Sequence, residues 1–416
     1  ASEGFSRLRG MGEHGVWLTL AWTPALTVAL LWWTRRFVPA AAGSGVPQVI
    51  VALDDDTPEQ RREWLVSLRL SLHKIGLVSG GLLAGLSIGR EGPTVQIGAG
   101  VMQHARRWLS PGSGIDSHDL MVAGAAAGIA AAFNTPLGGV IFAMEQLSRR
   151  RSMTHSALVV SCIVLSGLVA ISVFGNQSYF GRLRVQQLDW SLLGPGLLVA
   201  LASGLAGGLF SRLVVASARG LPDRFSRLRA SHPLRFAAGC AFAVAVIGVV
   251  ADGTTAGAGY APTRALLDAQ GEVPVLYTLL KFCATWLSSW TGVPAGVFAP
   301  SLAIGAGIGH DVAVLVGLGG DAAIPLIALG MVGFLAATTQ GPITAFIIVM
   351  EMVAGHTMVL SLMACALLAS GVARMITRPM YLELAALFVA SATPPPPPPA
   401  SEPAPGPGPE PGPKAQ

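Results

Sequence analysis

Apolar residues gather into blocks, at about 15–33, 71–88, 94–109, 120–147, 156–175, 190–218, 234–251, 273–290, 297–317, 322–337, 342–354 and 358–392. Blocks of about 20 residues match the helix length needed to cross roughly 30 Å of hydrocarbon. Charges fall between the blocks or at their ends, as at Arg35–Arg36, Asp54–Asp56, Arg106–Arg107 and Arg149–Arg151. The pattern predicts an all-α integral membrane protein of many helices. Several stretches are too short or too glycine-broken for plain spans, notably 76–88, 94–102 and 297–309. Broken helices survive at membrane depth where their backbone lines a cavity. On this pattern the chain divides into a first membrane half, 1–216, an arginine-rich connection, 217–235, and a second half, 236–392. Proline dominates the remainder, so 393–416 is expected to be a disordered or polyproline-like tail.

Composition narrows the classes. Of 416 residues, 52% are hydrophobic and only 12% charged, where soluble domains carry about 25% charged residues. A soluble enzyme and a disordered chain are both excluded. The net charge of +5 comes from arginines flanking apolar blocks, which reads as membrane topology rather than nucleic-acid binding. The 51 glycines suit close helix contacts and broken backbones. Cys162, Cys240, Cys283 and Cys365 lie in apolar runs without metal or disulfide spacing, and the histidines are scattered. No nucleophile–base pair or phosphate loop stands at usable spacing, so neither an enzyme nor a metal or organic cofactor is expected. The chain starts at Ala1 without methionine or a visible signal peptide, and its N-terminus is expected to be incomplete.

An internal repeat organises the rest. GAAAGIAAAFNTPLGGV (Gly124–Val140) aligns without gaps on GMVGFLAATTQGPITAF (Gly330–Phe346), an offset of 206 that also matches Glu145 to Glu351. Upstream, GREGPTVQIGAG (Gly89–Gly100) aligns on GVFAPSLAIGAG (Gly296–Gly307) at an offset of 207. Duplicated halves with broken helices in matching places point to an ion or substrate site near the bilayer midplane.

Three segments place glycine and proline at membrane depth ahead of helix-forming residues: Gly43–Pro47, Gly89–Pro93 and Gly296–Pro300. Each has the layout of a helix start whose first N–H groups lack partners. Three such starts, carrying Gly43, Gly45, Arg90, Gly92 and Gly296, would hold an anion without a full positive charge and still release it. Glu91 is an acid inside an otherwise apolar run. As a carboxylate it competes with an anion for those N–H groups, and once protonated it can leave, which makes it a gate and proton carrier. Glu145 and Glu351, being repeat-equivalent, read first as a cap or a symmetric salt bridge. Lys74 either sets a positive potential for incoming anions or snorkels to the interface. Tyr381 offers a phenolic O–H donor.

These motifs, GSGVP (43–47), GREGPTVQIG (89–98), GAAAGIAAAFNTPLGGVIFAME (124–145), GVFAP (296–300), GPITAFIIVMEM (341–352) and Tyr381, resemble the CLC family of chloride channels and chloride/proton exchangers. The resemblance runs from about Ala42 to Ala385. It implies an inverted-repeat bundle of tilted and broken helices, a homodimer with one anion pathway per subunit, and bound chloride ions as the only ligands. It implies that Ser44 and Tyr381 donate hydroxyl hydrogen bonds to a central chloride, that the N–H groups of Val297 and Phe298 complete that site, and that Glu91 gates it. Nitrate-preferring members resemble the first motif with proline at the position of Ser44; fluoride exporters depart at the serine and tyrosine positions. The family's internal proton acceptor aligns with Gln146, which cannot titrate, and Glu145 beside it is the possible substitute. Channel and exchanger both stay open at this point, with a proton-coupled transporter of another small anion as the alternative. Without internal organelle signals or a large soluble regulatory region, the chain is expected in a bacterial inner membrane with its C-terminal tail cytoplasmic, and the resemblance, consistent with the positive-inside rule, implies that Arg149–Arg151 face the cytoplasm. With an incomplete N-terminus, the family's first helix and part of its second are expected to be absent from this sequence, and regulation through a nucleotide-binding module is not expected.

Overall fold

Asn134 and Gln340 both adopt left-handed backbone, with φ of 55° and 51°, and each ends a long apolar helix just before a proline. Their offset is the 206 of the repeat, so the same break was inherited twice. In the computed structural model, residues 1–110, 112–148, 156–175, 179–181, 190–269, 273–274 and 276–390 are described. Arg149–Arg151 and the tail at 393–416 lie outside the described residues.

The described chain is helical. The order is α1 (Ser2–Arg9), α2 (Glu13–Phe37), α3 (Val46–Ala52), α4 (Glu59–Leu65), α5 (Leu68–Leu83), α6 (Glu91–Ala105), α7 (Ser117–Phe133), α8 (Pro136–Phe142), α9 (Ser156–Phe174), α10 (Leu193–Arg219) and α11 (Arg224–Ser231). Then follow α12 (Pro233–Val250), α13 (Tyr260–Leu267), α14 (Tyr277–Trp290), α15 (Phe298–Leu315), α16 (Ile324–Thr339), α17 (Pro342–Met352), α18 (Val359–Ile376) and α19 (Met380–Ala390). Among the described residues, seven helices are long and apolar enough to cross a membrane, by length and composition. Others, such as α3, α8 and α13, are about two turns long, as the broken blocks foretold.

Repeat partners pack alike. α6 lies on α7 and α15 on α16. Both crossings are made by paired glycines, Gly98 with Gly124 and Gly305 with Gly330, where a methyl group on either member would run into the other's carbonyl. That is how small residues bring membrane helices together. α16 is buried over its whole length and forms the centre of the core.

One boundary needs correction. Placing the first half at 1–216 assigns α10 to it, yet α10 packs on α14, α15, α16, α18 and α19, all of the second half. The glycines Gly204, Gly207 and Gly208 decide this, since they seat α10 against Val372, Ala337 and Ala373. The arginine-rich stretch at 217–235 therefore joins two second-half helices, α10 and α12, and does not join the halves.

Candidate anion site

Gly89 and Gly296, the first residues of the two repeat motifs, pair as an antiparallel bridge, the β-type pairing found among the described residues. Gly89 N–H donates to Gly296 O at 2.7 Å, and Gly296 N–H returns to Gly89 O at 3.1 Å. The bridge sets the starts of α6 and α15 against each other. Neither N-cap, Arg90 or Val297, supplies a side-chain bond, so the first N–H groups of both helices stay unclaimed by capping side chains. A β-carbon on Gly296 would sit 2.7 Å from Gly89 O and 2.9 Å from Pro93 Cδ, which is why glycine is required.

The third motif docks beside them. Gly43 N–H donates to Val293 O at 3.3 Å, and Ala295 N–H donates to Gly43 O at 3.1 Å. Gly45, at φ 103°, turns the chain into α3. The turn brings Ser44 Oγ against Gly92, where a side chain would collide with it. Tyr381, one residue into α19, stacks on Phe298 at 5.7 Å with the rings inclined by 28°. Its hydroxyl faces Ser44 and Glu91.

Ser44, Glu91, Val297, Phe298 and Tyr381 are thus all buried and gathered in one place. The oxygens of Ser44, Tyr381 and Glu91 complete no hydrogen bond to the protein, although the backbone amides of Arg90, Glu91 and Ala299 face the Glu91 carboxylate. Buried polar groups are ordinarily paired, so an unpaired cluster of donors around one acid marks a binding place. Two hydroxyls and the positive ends of opposed helices fit an anion, with the Glu91 carboxylate as its competitor. Arg90 itself is exposed; its backbone caps the start of α6, and its charge acts on Glu91 and Tyr179 from the rim.

Lys74 does not snorkel. It is fully buried, donating to Gly43 O at 3.3 Å and to the side-chain oxygen of Gln96, so it braces the loop that carries Ser44. Its counterpart escaped the sequence reading: Lys281, at the same offset of 207, is equally buried and donates at 2.8 Å to both Thr255 O and Gly257 O. Gly257 N–H in turn bonds Leu86 O at 3.0 Å, the repeat image of the Gly43–Val293 bond. The shared offset was the signal that could have found it.

Glu145 lies in a π-helical turn at Ala143–Leu147, and its carboxylate accepts from the N–H groups of Ile343 (3.2 Å) and Thr344 (2.7 Å). The cap reading of this residue matches that geometry. Gln146 is buried against Gly341. At the start of α7, Asp116, His118 and Asp119 hold ligand atoms within 4.8 Å of one another, but Asp116 already caps that helix through Asp119 N–H at 2.9 Å. A cavity of about 460 Å³ opens onto Ser44, Val297 and Tyr381 and continues to Arg219 and Arg229.

Residues 26–374 match the family described as voltage gated chloride channel. Among curated relatives, the H(+)/Cl(-) exchange transporter ClcA of Vibrio parahaemolyticus serotype O3:K6 is 29% identical, over 89% of this chain and 79% of its own. ClcA of Vibrio cholerae serotype O1 is 30% identical, over 84% and 75%. Of solved structures, a slow cyanobacterial Cl-/H+ antiporter superposes with a TM-score of 0.75 at 24% identity, covering 94% of this chain and 91% of that one. A CLC-type fluoride/proton antiporter gives 0.72 at 20%, covering 92% of each. The fold is shared with both.

Proposed function

The chain belongs to the voltage gated chloride channel family, and from that premise we propose that it exchanges chloride for protons across a bacterial inner membrane. The reading is carried by one observation: Ser44 Oγ, Tyr381 Oη and the Glu91 carboxylate meet, buried and unpaired, at the facing starts of α6 and α15. A chloride there takes two hydroxyl donors and the N–H groups of Val297 and Phe298. Ionised Glu91 lies against the N–H groups of Arg90, Glu91 and Ala299 at the same helix starts and closes the path; protonated Glu91 gives them up. Alternation of proton and chloride at one place is the physical basis of exchange.

Two features select within the family. Ser44 and Tyr381 keep both hydroxyl donors, which favours chloride over fluoride or nitrate. Relatives aligned along most of this chain are named as exchange transporters, which favours exchange over a channel. Protons reach Glu91 by a route without a titratable group at Gln146. The protein works as a homodimer with its tail in the cytoplasm; the exposed apolar side chains Leu137 on α8, Met144 in the π-helical turn after it and Ile343 on α17 supply a surface for the second subunit.

The test is paired flux from purified protein in liposomes under a chloride gradient, with voltage clamped by an ionophore. Protons driven against their own gradient establish exchange. Chloride flux without linked protons makes the protein a channel, and absence of chloride flux overturns the reading.

A further inference from the structure

The cavity below Ser44 and Tyr381 has a one-sided charge. Its lining includes Arg219 and Arg229 and no aspartate or glutamate. Arg219 is already committed, with Nη2 at 2.8 Å from Glu383. Arg229 is not: Nη1 donates to Ser217 O at 2.5 Å, and among the described residues no carboxylate lies within ion-pair distance. Its other amino group reaches Gly292, where a β-carbon would lie 3.9 Å from Nη2. Gly292 opens the short segment that runs through Val293 and Ala295, which brace Gly43, to Gly296 and the start of α15.

The surroundings strengthen that charge. Trp286 and Trp290 stack at 5.1 Å along the wall, and Trp286 is locked by its indole N–H on Ser217 Oγ at 2.9 Å. Ser217 thus fixes both the guanidinium and the wall. Trp290 leaves its buried indole N–H without a protein acceptor, so donors exceed acceptors here. Arg35, a second cation, also acts on Arg229. A cation between low-dielectric walls focuses its field into the cavity and raises the local concentration of anions.

We propose that Arg229 is an anion-capture residue, holding a halide at the mouth of this cavity before it passes to Ser44 and Tyr381. The inference rests on the chloride pathway proposed above. A single half-buried guanidinium, already sharing one arm with Ser217, attracts an anion and still lets it go, as conduction requires. It also gives the arginine-rich segment between α10 and α12 a role in transport.

Chloride uptake by the full chain in liposomes, measured against chloride concentration at low ionic strength, tests this. Arg229→Gln keeps a donor for Ser217 O and loses the charge, while Arg229→Lys keeps the charge. The half-saturating chloride concentration is expected to rise at least about threefold in R229Q. It should change little in R229K, and the gap should close as inert salt is added. Chloride/nitrate preference should not move in either variant. An R229Q curve that overlays the wild type, or an R229K loss as large as that of R229Q, overturns the capture role alone. A wild type without chloride flux overturns the pathway, and this inference with it.

Discussion

Glu145 and Glu351 each cap the helix that bears the other. Glu145 accepts from Ile343 and Thr344 at the start of α17, whose last turn carries Glu351. Glu351 accepts from Leu137 (3.1 Å) and Gly138 (2.7 Å) at the start of α8, whose continuation carries Glu145. Donors and acceptors all differ by 206, so the exchange is that of a two-fold axis between the repeats. A carboxylate at a helix start meets both unpaired N–H groups and the positive end of the helix dipole.

Removing either carboxylate should therefore loosen the same seam. Glu145→Ala and Glu351→Ala are each expected to cost about 1–2 kcal/mol, read as a lowered Tm in detergent. Because the two caps share α8 and α17, the double variant should lose less than the sum. Glu145→Gln should keep the proton-to-chloride ratio of the wild type, since its carboxylate is spent on α17; a changed ratio would return Glu145 to the proton route.

Glu91→Gln mimics the protonated acid. Wild-type chloride flux should rise as pH falls, because protonation clears the N–H groups of α6 and α15. The variant should show a flat pH profile and move no protons. Flux measured across a pH series decides this, and a variant that keeps the wild-type slope contradicts the gating role.

Ser44→Ala and Tyr381→Phe each take one donor from the anion. A hydrogen bond to a charged group contributes about 1.5–3 kcal/mol, so chloride affinity by calorimetry should fall roughly tenfold or more. Ser44→Ala should also shift chloride/nitrate preference, whereas unchanged preference and affinity would move the site elsewhere.

Lys74 and Lys281 occupy equivalent positions but brace different loops. Lys281→Met leaves the carbonyls of Thr255 and Gly257 unpaired and should cost about 1–3 kcal/mol while leaving anion preference alone. Lys74→Met should cost a similar amount and also raise the half-saturating chloride concentration, because Gly43, beside Ser44, loses its brace. Thermal unfolding and flux on the two variants separate stability from binding.

Much of this protein is written locally. The apolar blocks, the breaks before Pro136 and Pro342, the repeat and the position of Glu91 follow from composition and period, which a span of 20 residues already contains. The resemblance added which residues face the anion. What the chain text could not settle are contacts between residues some 200 positions apart: Gly89 with Gly296, Glu145 with Ile343, Glu351 with Leu137. Their partners are chosen by how helices pack, and packing is decided by shape once all helices are present. For the same reason the apolar pattern puts α10 with the first half and packing puts it with the second, since an apolar helix looks alike whichever bundle it joins. Lys74 and Arg229 show the limit most plainly. A lone cation in sequence is only a charge; burial against Gly43 makes one a brace, and placement on an acid-free cavity gives the other an open charge.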